Sequence, residues 1–228
     1  MQADWIEGAI ILIDKPEGWT SFDVVKRVRN SLSRHLGVKR LKVGHAGTLD
    51  PLATGLLILC TGKWTKMIDK IQQAEKTYTG TIRFGATTPS YDRETEPDAT
   101  FDYAHITPDM LDRLTKKFTG RIRQVPPAFS AVMVNGVRAY KLARKDEEVE
   151  LKSREVEIYN FRLTRVEMPE VDFEVTCSKG TYIRSLAHDF GKAAGSGAFL
   201  QSLRRTRIGD YSVDDALSPE DFVRQLTL

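Results

Sequence analysis

The apolar positions in the first part of the chain predict a buried strand followed by an amphipathic helix. Residues 9–13 are a continuous apolar run between a glycine and a proline, which is typical of a strand buried on both faces. Thr20 and Asp23 have the spacing of a capping box, a hydroxyl followed three residues later by a carboxylate. Apolar residues then recur at helical spacing, so we expect a helix that ends near Gly37.

Alternation and turn residues predict the elements in the middle of the chain. Between residues 76 and 85 apolar and polar side chains alternate, which indicates a strand with one buried face. A threonine–proline pair at residues 107–108 favours the start of a helix that stops at Gly120. The Asn-Gly pair at residues 135–136 is the dipeptide most suited to a tight hairpin.

The last third of the chain predicts two more strands and a helix. Apolar residues alternate from 156 to 163 with a change of parity at Asn160, which indicates a bulge, and they alternate again from 171 to 177. A helix follows that should end at Gly191 or Gly195. Because strands and helices are interspersed without regular strand–helix repeats, the sequence predicts an α+β fold with a mixed, mainly antiparallel sheet flanked by helices.

Composition and length fit one globular domain. Of the 228 residues, 41% are apolar and 29% are charged, which excludes a disordered chain and allows a sizeable core. No linker or low-complexity segment divides the sequence. We therefore expect a single domain over residues 1–228, in which residues 105–152 form an inserted appendage.

Charge becomes informative through its local distribution. The formal net charge is +3 and the pI is near 8.8, which does not by itself indicate a nucleic-acid-binding protein. One short stretch is nevertheless strongly basic; its members are Lys26, Arg27, Arg29, Arg34, His35, Lys39, Arg40 and Lys42. From the residues alone this stretch is typical of a solvated helix face, and phosphate binding is the alternative.

Cysteine use and the N-terminus indicate a soluble, cytoplasmic protein. Cys60 and Cys177 both lie in apolar runs without metal-like spacing, as is usual in a reducing compartment. No secretory signal is recognisable, and every apolar run is far shorter than the ~20 residues of a membrane span. The histidines are scattered along the sequence, so no metal site is expected. A monomer is the default expectation.

The glycine-rich segment at residues 44–55, GHAGTLDPLATG, is the most informative for chemistry. It lacks the Gly-Lys-Ser/Thr ending of a phosphate-binding loop and the glycine pattern of a dinucleotide-binding turn. From the residues alone, Asp50 before Pro51 is typical of a carboxylate that caps a helix with proline at its first position. His45 alone is more typical of a structural histidine than of an acid or base.

The same segment closely resembles the signature loop of the TruB family of tRNA pseudouridine synthases. Further segments resemble family motifs in the same order; they are KPEGWTS at residues 15–21, KTYTG at 76–80, SKGTYIRSL at 178–186 and LRRT at 203–206. The resemblance runs from about residue 10 to residue 207, nearly the whole chain. It implies the pseudouridine synthase fold, with an insert at residues 105–152 that contacts RNA.

The resemblance also implies roles for individual residues. Asp50 would be the nucleophile and Arg184 the guanidinium paired with it, since arginine stays charged and presents a planar fork to a carboxylate. Tyr78 would stack on the uracil, and its hydroxyl is a candidate to take the proton from C5. The other implied contacts are Tyr182 and Leu203 around the flipped nucleotide, His45 in the opened RNA loop, and Lys15, Asp92, Lys39, Arg40 and Lys42 along the RNA. Taken singly, Tyr78, Arg184 and Leu203 would instead be a strand aromatic, an exposed helix charge and a core leucine.

The reaction that the resemblance implies is the isomerisation of uridine to pseudouridine in the T-loop of tRNA, at position 55. The target base must be flipped out of its stack. No atom enters or leaves, so no cofactor and no metal are expected. A carboxylate fits attack either on the base or on ribose C1′, and both stay open.

Two alternatives stay open for the function, and one feature departs from the family. The chain could act on another RNA, or bind and help to fold tRNA without modifying it. A small-molecule hydrolase is disfavoured, because no second catalytic carboxylate or Ser/His arrangement accompanies the loop. Many family members continue into an RNA-binding PUA domain, for which the residues before Leu228 leave no room, so we expect fewer contacts to the acceptor stem.

Overall fold

The structure, a computed structural model, describes residues 4–145, 147 and 149–226. The strands are β1 (Ile10–Lys15), β2 (Val43–His45), β3 (Thr54–Thr61), β4 (Lys76–Phe84), β5 (Ala86–Thr87), β6 (Ala99–Thr100), β7 (Gly120–Gln124), β8 (Met133–Val134), β9 (Val137–Arg138), β10 (Arg154–Glu167), β11 (Glu170–Cys177), β12 (Ala198–Ile208) and β13 (Tyr211–Ser212). The helices are α1 (Ser21–His35), α2 (Ile68–Gln73), α3 (Pro108–Lys117), α4 (Ala139–Ala143), α5 (Ile183–Ala193) and α6 (Pro219–Gln225), with short 3-10 helices at Gly62–Met67 and Val213–Asp215.

The chain divides into two compact units. Unit 1 comprises Met1–Tyr78 and Leu203–Leu228, and unit 2 comprises Thr79–Ser202. The predicted single domain and its appendage stay predictions. The described part of residues 105–152 includes α3 and β7, whereas Asp146 and Glu148 lie outside the described residues.

Unit 1 is built on β1 and β3, which pair antiparallel with Ile10 opposite Cys60. β2 pairs antiparallel with β3, and β12 pairs parallel with β3, with Arg205 opposite Gly55. One face of these strands packs against α1 and α6 through an apolar cluster that includes Val24, Val28, Leu32, Leu57, Leu59 and Phe222. The other face has its own cluster, which includes Leu56, Ile58, Cys60, Ile71 and Ile208. The continuous apolar runs of β1 and β3 are explained by burial on both faces.

Unit 2 contains a sheet in the order β12-β4-β11-β10-β7. β10 pairs antiparallel with β11 and with β7, and its register to β11 shifts between Ile158 and Asn160, so the predicted bulge is confirmed. The core is aromatic, and Phe190 of α5 lies at its centre, with ring centroids 5.2 Å from Phe161 and 5.6 Å from Phe118. The predicted mixed, mainly antiparallel sheet with flanking helices is confirmed.

Several local predictions are confirmed at their turn and capping residues. α1 begins with the predicted capping box, since Thr20 accepts from the Asp23 N–H while the Asp23 side chain accepts from the Thr20 N–H. Asn135 and Gly136 join β8 to β9 with φ of 50° and 81°, as a tight hairpin requires. α5 ends at Ala193 shortly before Gly195. Within the described residues, no helix has the length and apolarity to cross a membrane.

Candidate active site

Asp50 lies in a tight turn of unit 1, within a loop that we call the Asp50 loop (residues 44–55). The Ala53 N–H donates to the Asp50 carbonyl oxygen at 3.1 Å, and β3 begins directly afterwards at Thr54. The interpretation of Asp50 as a helix cap is therefore wrong, because a turn and a strand follow Pro51 instead of a helix. The Asp50 side chain is half-buried.

Lys15, the last residue of β1, anchors this turn from inside the protein. Its side chain is 0% exposed, and Nζ donates to the carbonyl oxygens of Pro16, Trp19 and Pro51 at 2.9, 2.7 and 3.2 Å. All three ammonium protons therefore have acceptors. Burial lowers the pKa of Lys15 to about 8, although the negative charge of Asp50 acts in the opposite direction. Lys15 thus fixes the turn and places a positive charge near the carboxylate.

Arg205 of β12 holds the preceding part of the same loop. Its guanidinium is 2% exposed and donates to the carbonyl oxygens of Leu56, Thr48 and Gly47 at 2.8, 3.4 and 3.1 Å. A planar group with several fixed donors can satisfy carbonyl groups on both sides of a loop at once. The Asp50 loop is therefore bound through its backbone, which leaves its side chains available for other contacts.

Ser21, the first residue of α1, binds the backbone of the Asp50 loop at Leu49. The Leu49 N–H donates to Ser21 Oγ at 2.9 Å, and Ser21 Oγ donates to the Leu49 carbonyl oxygen at 3.1 Å. The Gly18 N–H also donates to the Pro51 carbonyl oxygen at 2.8 Å. Residues on both sides of Asp50 are thus fixed by hydrogen bonds, so the backbone that carries the carboxylate is in place before any ligand binds.

His45 stands at the start of the Asp50 loop, where β2 ends. Its ring is half-buried, and Nδ1 is buried without a hydrogen-bond partner in the protein. Burial lowers the pKa of His45, an interaction with the Gly47 backbone opposes this shift, and the charge of Arg205 adds to it. The neutral imidazole is therefore favoured.

In unit 2, Arg184 of α5 is held in a buried clamp. The guanidinium donates from Nη1 to the Ser90 carbonyl oxygen at 3.1 Å and from Nη2 to the Phe129 carbonyl oxygen at 3.0 Å, and its Nε lies 3.6 Å from Asp92 Oδ2. Arg184 is 4% exposed, so it is not an exposed helix charge. Asp92 is also buried, and its Oδ1 accepts from the Glu94 N–H at 2.9 Å. We call Ser90, Asp92 and Phe129 the Arg184 clamp.

Tyr182 precedes α5 in the same unit. Its N–H donates to Gln124 Oε1 at 2.8 Å, and its half-buried ring faces the guanidinium of Arg154, whose Cζ lies 4.4 Å from the ring centroid. The contact is a cation–π interaction, which restrains the orientation of the ring. Tyr182 is therefore positioned on both its backbone and its side chain.

Two family models match consecutive parts of the chain. Residues 33–183 match the model described as TruB family pseudouridylate synthase (N terminal domain), and residues 184–227 match the model described as tRNA pseudouridylate synthase B C-terminal domain. The chain belongs to the TruB family of pseudouridine synthases.

Curated TruB relatives are similar over almost their whole length. The protein named tRNA pseudouridine synthase B from Flavobacterium johnsoniae is 54% identical over 94% of this chain and 94% of its own. Its namesake from Bacteroides thetaiotaomicron is 56% identical over 95% and 92%. The similarity to these TruB proteins thus extends over more than nine tenths of each chain and is not confined to one motif.

Solved structures of the same fold come from a larger protein. A chain of a Cbf5-Nop10-Gar1 complex superposes with a TM-score of 0.72 at 30% identity, covering 96% of this chain and 54% of that one. A chain from an H/ACA RNP bound to a substrate RNA containing 2'-deoxyuridine has a TM-score of 0.68 at 27% identity and covers 96% and 53%. This chain therefore spans about half the length of those structural neighbours, and the predicted pseudouridine synthase fold is confirmed.

The residues that the TruB resemblance implicates are divided between the units. Asp50, His45, Lys15, Tyr78 and Leu203 lie in unit 1, whereas Tyr182, Arg184 and Asp92 lie in unit 2. Tyr78 is a buried residue of β4, and Leu203 is a half-buried residue of β12. Lys39, Arg40 and Lys42 are exposed in the segment between α1 and β2.

Of the three side chains that hold the Asp50 loop, Ser21 and Arg205 were given no role from the sequence. Lys15 and Asp92 were assigned to the RNA surface, whereas the structure has both buried against protein groups. Their RNA contacts stay predictions. Ser21 and Arg205 do lie within the motifs at residues 15–21 and 203–206, and this was the available signal. Among the described residues, no group of three or more His, Cys, Asp or Glu side chains could hold a metal ion.

Proposed function

We propose that the protein isomerises uridine to pseudouridine in the T-loop of tRNA, at position 55, with Asp50 as the nucleophile. The observation that carries the proposal is a half-buried carboxylate on a turn that Lys15, Ser21 and Arg205 fix through hydrogen bonds. A nucleophile held in advance at its reacting position loses little entropy in the reaction. The TruB relatives named tRNA pseudouridine synthase B support tRNA as the substrate class.

The reaction rearranges bonds within one nucleotide. The bond between ribose C1′ and base N1 breaks, the uracil turns, and C5 forms a bond to C1′; C5 then loses its proton and N1 gains one. Asp50 attacks either the base or C1′, and in both cases its carboxylate must be ionised. Lys15 lies close enough to Asp50 for the two charges to interact.

The other side chains are assigned to holding the flipped nucleotide. We assign Tyr78 to stacking on the uracil and to the proton at C5, and Tyr182 and Leu203 to the pocket around the base. Stacking on aromatic side chains and contacts to phosphates offset the cost of unstacking the base, which is a few kcal/mol. We assign His45 to the opened RNA loop, where its lowered pKa favours a neutral ring that can bind an RNA base without carrying charge.

Arg184 keeps its predicted role as the cation paired with Asp50. The contacts described for its guanidinium are to the Arg184 clamp, which itself contains the carboxylate of Asp92. A guanidinium has enough donors to bind a second carboxylate while it stays in such a clamp. Pairing of Arg184 with Asp50 stays a proposal.

Phosphate contacts are proposed for the segment between α1 and β2. Lys39, Arg40 and Lys42 are all exposed there, and they follow the basic residues of α1 in the sequence. Basic side chains at the surface steer and hold RNA through its phosphates without reading its sequence. This segment is therefore assigned to the tRNA T-arm, whereas the insert between residues 105 and 152 is assigned a weaker contact because it also carries acidic residues.

The substrate is tested by mapping modified nucleosides. Purified protein is incubated with unmodified transcripts of tRNA, ribosomal RNA and messenger RNA, and pseudouridine is located by mass spectrometry. We expect pseudouridine at position 55 of tRNA. Product confined to another RNA would keep the chemistry and overturn the substrate, and tight tRNA binding without product would favour a role in tRNA folding.

A further inference from the structure

Tyr91 has a backbone conformation that is unfavourable for its residue type. Its φ is +63°, in the left-handed region that large side chains rarely enter. Such a conformation persists when surrounding contacts impose it, and it occurs preferentially at functional sites. Tyr91 lies between Ser90 and Asp92, which both belong to the Arg184 clamp.

The ring of Tyr91 is stacked on the ring of His188. The centroids are 3.9 Å apart, and the planes are inclined by 15°. His188 is four residues after Arg184 on α5, so the two side chains lie on the same face of the helix. The stack therefore ties the strained turn to the helix that carries Arg184, one turn away from the guanidinium.

Backbone hydrogen bonds of Tyr91 also hold the turn that contains it. The Tyr91 N–H donates to the Thr88 carbonyl oxygen at 3.1 Å, and the Tyr91 carbonyl oxygen accepts from the Leu200 N–H at 2.9 Å. With the chain reversed at Tyr91, the carbonyl group of Ser90 and the carboxylate of Asp92 reach the same guanidinium. A relaxed backbone at Tyr91 would redirect at least one of these two groups.

We propose that the Tyr91–His188 stack is a positioning element for Arg184, which holds the strained turn in the one conformation that brings Ser90 and Asp92 together on the guanidinium. Tyr91 and His188 act through Arg184 and are not catalytic residues themselves. Burial raises the pKa of Tyr91 and lowers the pKa of His188, so both rings are uncharged at neutral pH and stack without the desolvation cost of an ion. The inference rests on the proposed function, because it concerns a residue of that reaction.

Substitutions at Tyr91 test whether the aromatic ring is needed to hold the turn. Tyr91→Phe keeps the stack, whereas Tyr91→Gly removes the ring and leaves a residue that adopts positive φ without strain. We expect Tyr91→Phe to retain kcat and Tyr91→Gly to lower kcat about tenfold, with the Kd for tRNA nearly unchanged, because a slightly misplaced guanidinium costs turnover more than binding. His188→Ala should have the same effect, and the double variant should be no worse than either single one.

The loss of kcat in Tyr91→Gly should depend on the presence of Arg184. In an Arg184→Lys background, where the planar fork is already lost, Tyr91→Gly should lower kcat no further. Tyr159→Ala is the matched control, because Tyr159 is an exposed tyrosine of unit 2 and is not one of the residues of the Arg184 clamp. Unchanged kcat in Tyr91→Gly, or an equal loss in the Arg184→Lys background, would overturn the proposal.

An NMR measurement tests the positioning role of Tyr91 independently of the proposed function. The side-chain Nε–H resonance of Arg184, assigned with Arg184→Lys, reports the order of the guanidinium in the free protein. We expect Tyr91→Gly to shift and broaden it and Tyr91→Phe to leave it unchanged. A wild-type protein that makes no pseudouridine would refute the proposed function, whereas an unaltered resonance in Tyr91→Gly would refute the positioning role.

Discussion

Fully buried basic side chains surround the nucleophile proposed here. Lysine and arginine are rarely buried completely unless all their donors are satisfied. Lys15 has an acceptor for each of its three ammonium protons, and Arg205 donates to three carbonyl oxygens with its Nε, Nη1 and Nη2; both sets of acceptors include backbone of the Asp50 loop. The two residues thus fix the loop and set the positive potential around Asp50 at the same time.

The first prediction concerns the proton on Lys15. With a pKa of about 8, Lys15 is charged below that pH and neutral above it. Loss of the proton removes the positive charge near Asp50 and one donor to the turn, so kcat should fall severalfold as the pH rises through about 8. A pH–rate profile should show this step in the wild type and lack it in Lys15→Met, whose kcat at pH 7 should already be low.

The contribution of Lys15 to the free energy of unfolding should rise over the pH range in which kcat falls. An unfolded lysine keeps its proton up to the ordinary value of 10.5, so between pH 8 and 10.5 the unfolded chain binds more protons at this site and the contribution of Lys15 to stability rises with pH. A fall in kcat over this range is therefore not explained by unfolding at this site. A step of unchanged size in Lys15→Met would assign the titration to another group.

The second prediction separates two adjacent arginines. Arg205→Lys leaves the carbonyl groups of Gly47 and Thr48 without donors, so the free energy of unfolding should fall by about 3 kcal/mol, and kcat should fall with it. Arg204→Lys is the matched control, since Arg204 forms a half-exposed ion pair with Asp14 at 2.7 Å that is worth about 1 kcal/mol or less. Equal losses in urea denaturation of the two variants would contradict the account.

At the scale of elements, the pattern of apolar residues predicted the strands and helices that have a regular periodicity. It missed strands that depend on contacts with distant parts of the chain. The capping box of α1, the alternation of β4 and the bulge at Asn160 are local signals, and the structure confirms them. β12 was not predicted, because its middle is polar and carries Arg204 and Arg205. These arginines form their bonds to Asp14 and to the Asp50 loop, which are distant in sequence, so no local pattern reveals them.

The candidate site was predictable to a similar extent. The resemblance identified Asp50 and the motifs around it, but it could not show which residues face inward. The resemblance implied RNA contacts for Lys15 and Asp92, and charged residues are usually exposed, so nothing in the sequence indicated their burial. Their burial depends on contacts with Pro51 and Arg184 that only the folded chain shows.

The third prediction concerns the junction of β3 and β12. Gly55 has a φ of 100°, and a Cβ at this position would lie 2.3 Å from the carbonyl oxygen of Arg205. Gly55→Ala should therefore force the strands apart next to the Asp50 loop, lower the free energy of unfolding by about 3 kcal/mol or more, and reduce kcat. Calorimetry and single-turnover rates measure the two effects.

Gly120 provides the control for backbone strain. Its φ of 95° is nearly the same, but a Cβ there would meet no atom within 4 Å. Gly120→Ala should cost about 1 kcal/mol from the unfavourable φ alone and leave kcat unchanged. If both variants lose the same stability, the close approach of β12 is not what requires glycine at position 55.

At the scale of the whole molecule, the charge is nearly balanced although the proposed ligand is a polyanion. The net charge is +3 from 34 basic and 31 acidic residues, so the field that attracts RNA must come from local surfaces. The exposed residues Lys39, Arg40 and Lys42 form the proposed surface. Binding through such a surface has a characteristic dependence on salt.

The fourth prediction measures that dependence. Replacing Lys39, Arg40 and Lys42 by glutamine should weaken tRNA binding and reduce the slope of log K against log salt by up to about 2 to 3, since each phosphate contact contributes roughly 0.7 to 0.9. The control removes three exposed cations that lie in ion pairs elsewhere, Lys63, Lys116 and Arg224. An unchanged slope in the first variant would leave this segment as a solvated surface.

The central claim is that Asp50 performs the chemistry on a loop that the protein has already fixed, and one comparison tests it most directly. Wild type and Asp50→Asn are incubated with an unmodified tRNA transcript, and both RNA binding and pseudouridine at position 55 are measured. We expect the wild type to form pseudouridine and Asp50→Asn to bind the tRNA with similar affinity without forming product, because the amide keeps the shape of the carboxylate and lacks its nucleophilic charge. Pseudouridine formed by Asp50→Asn at the wild-type rate would contradict the account.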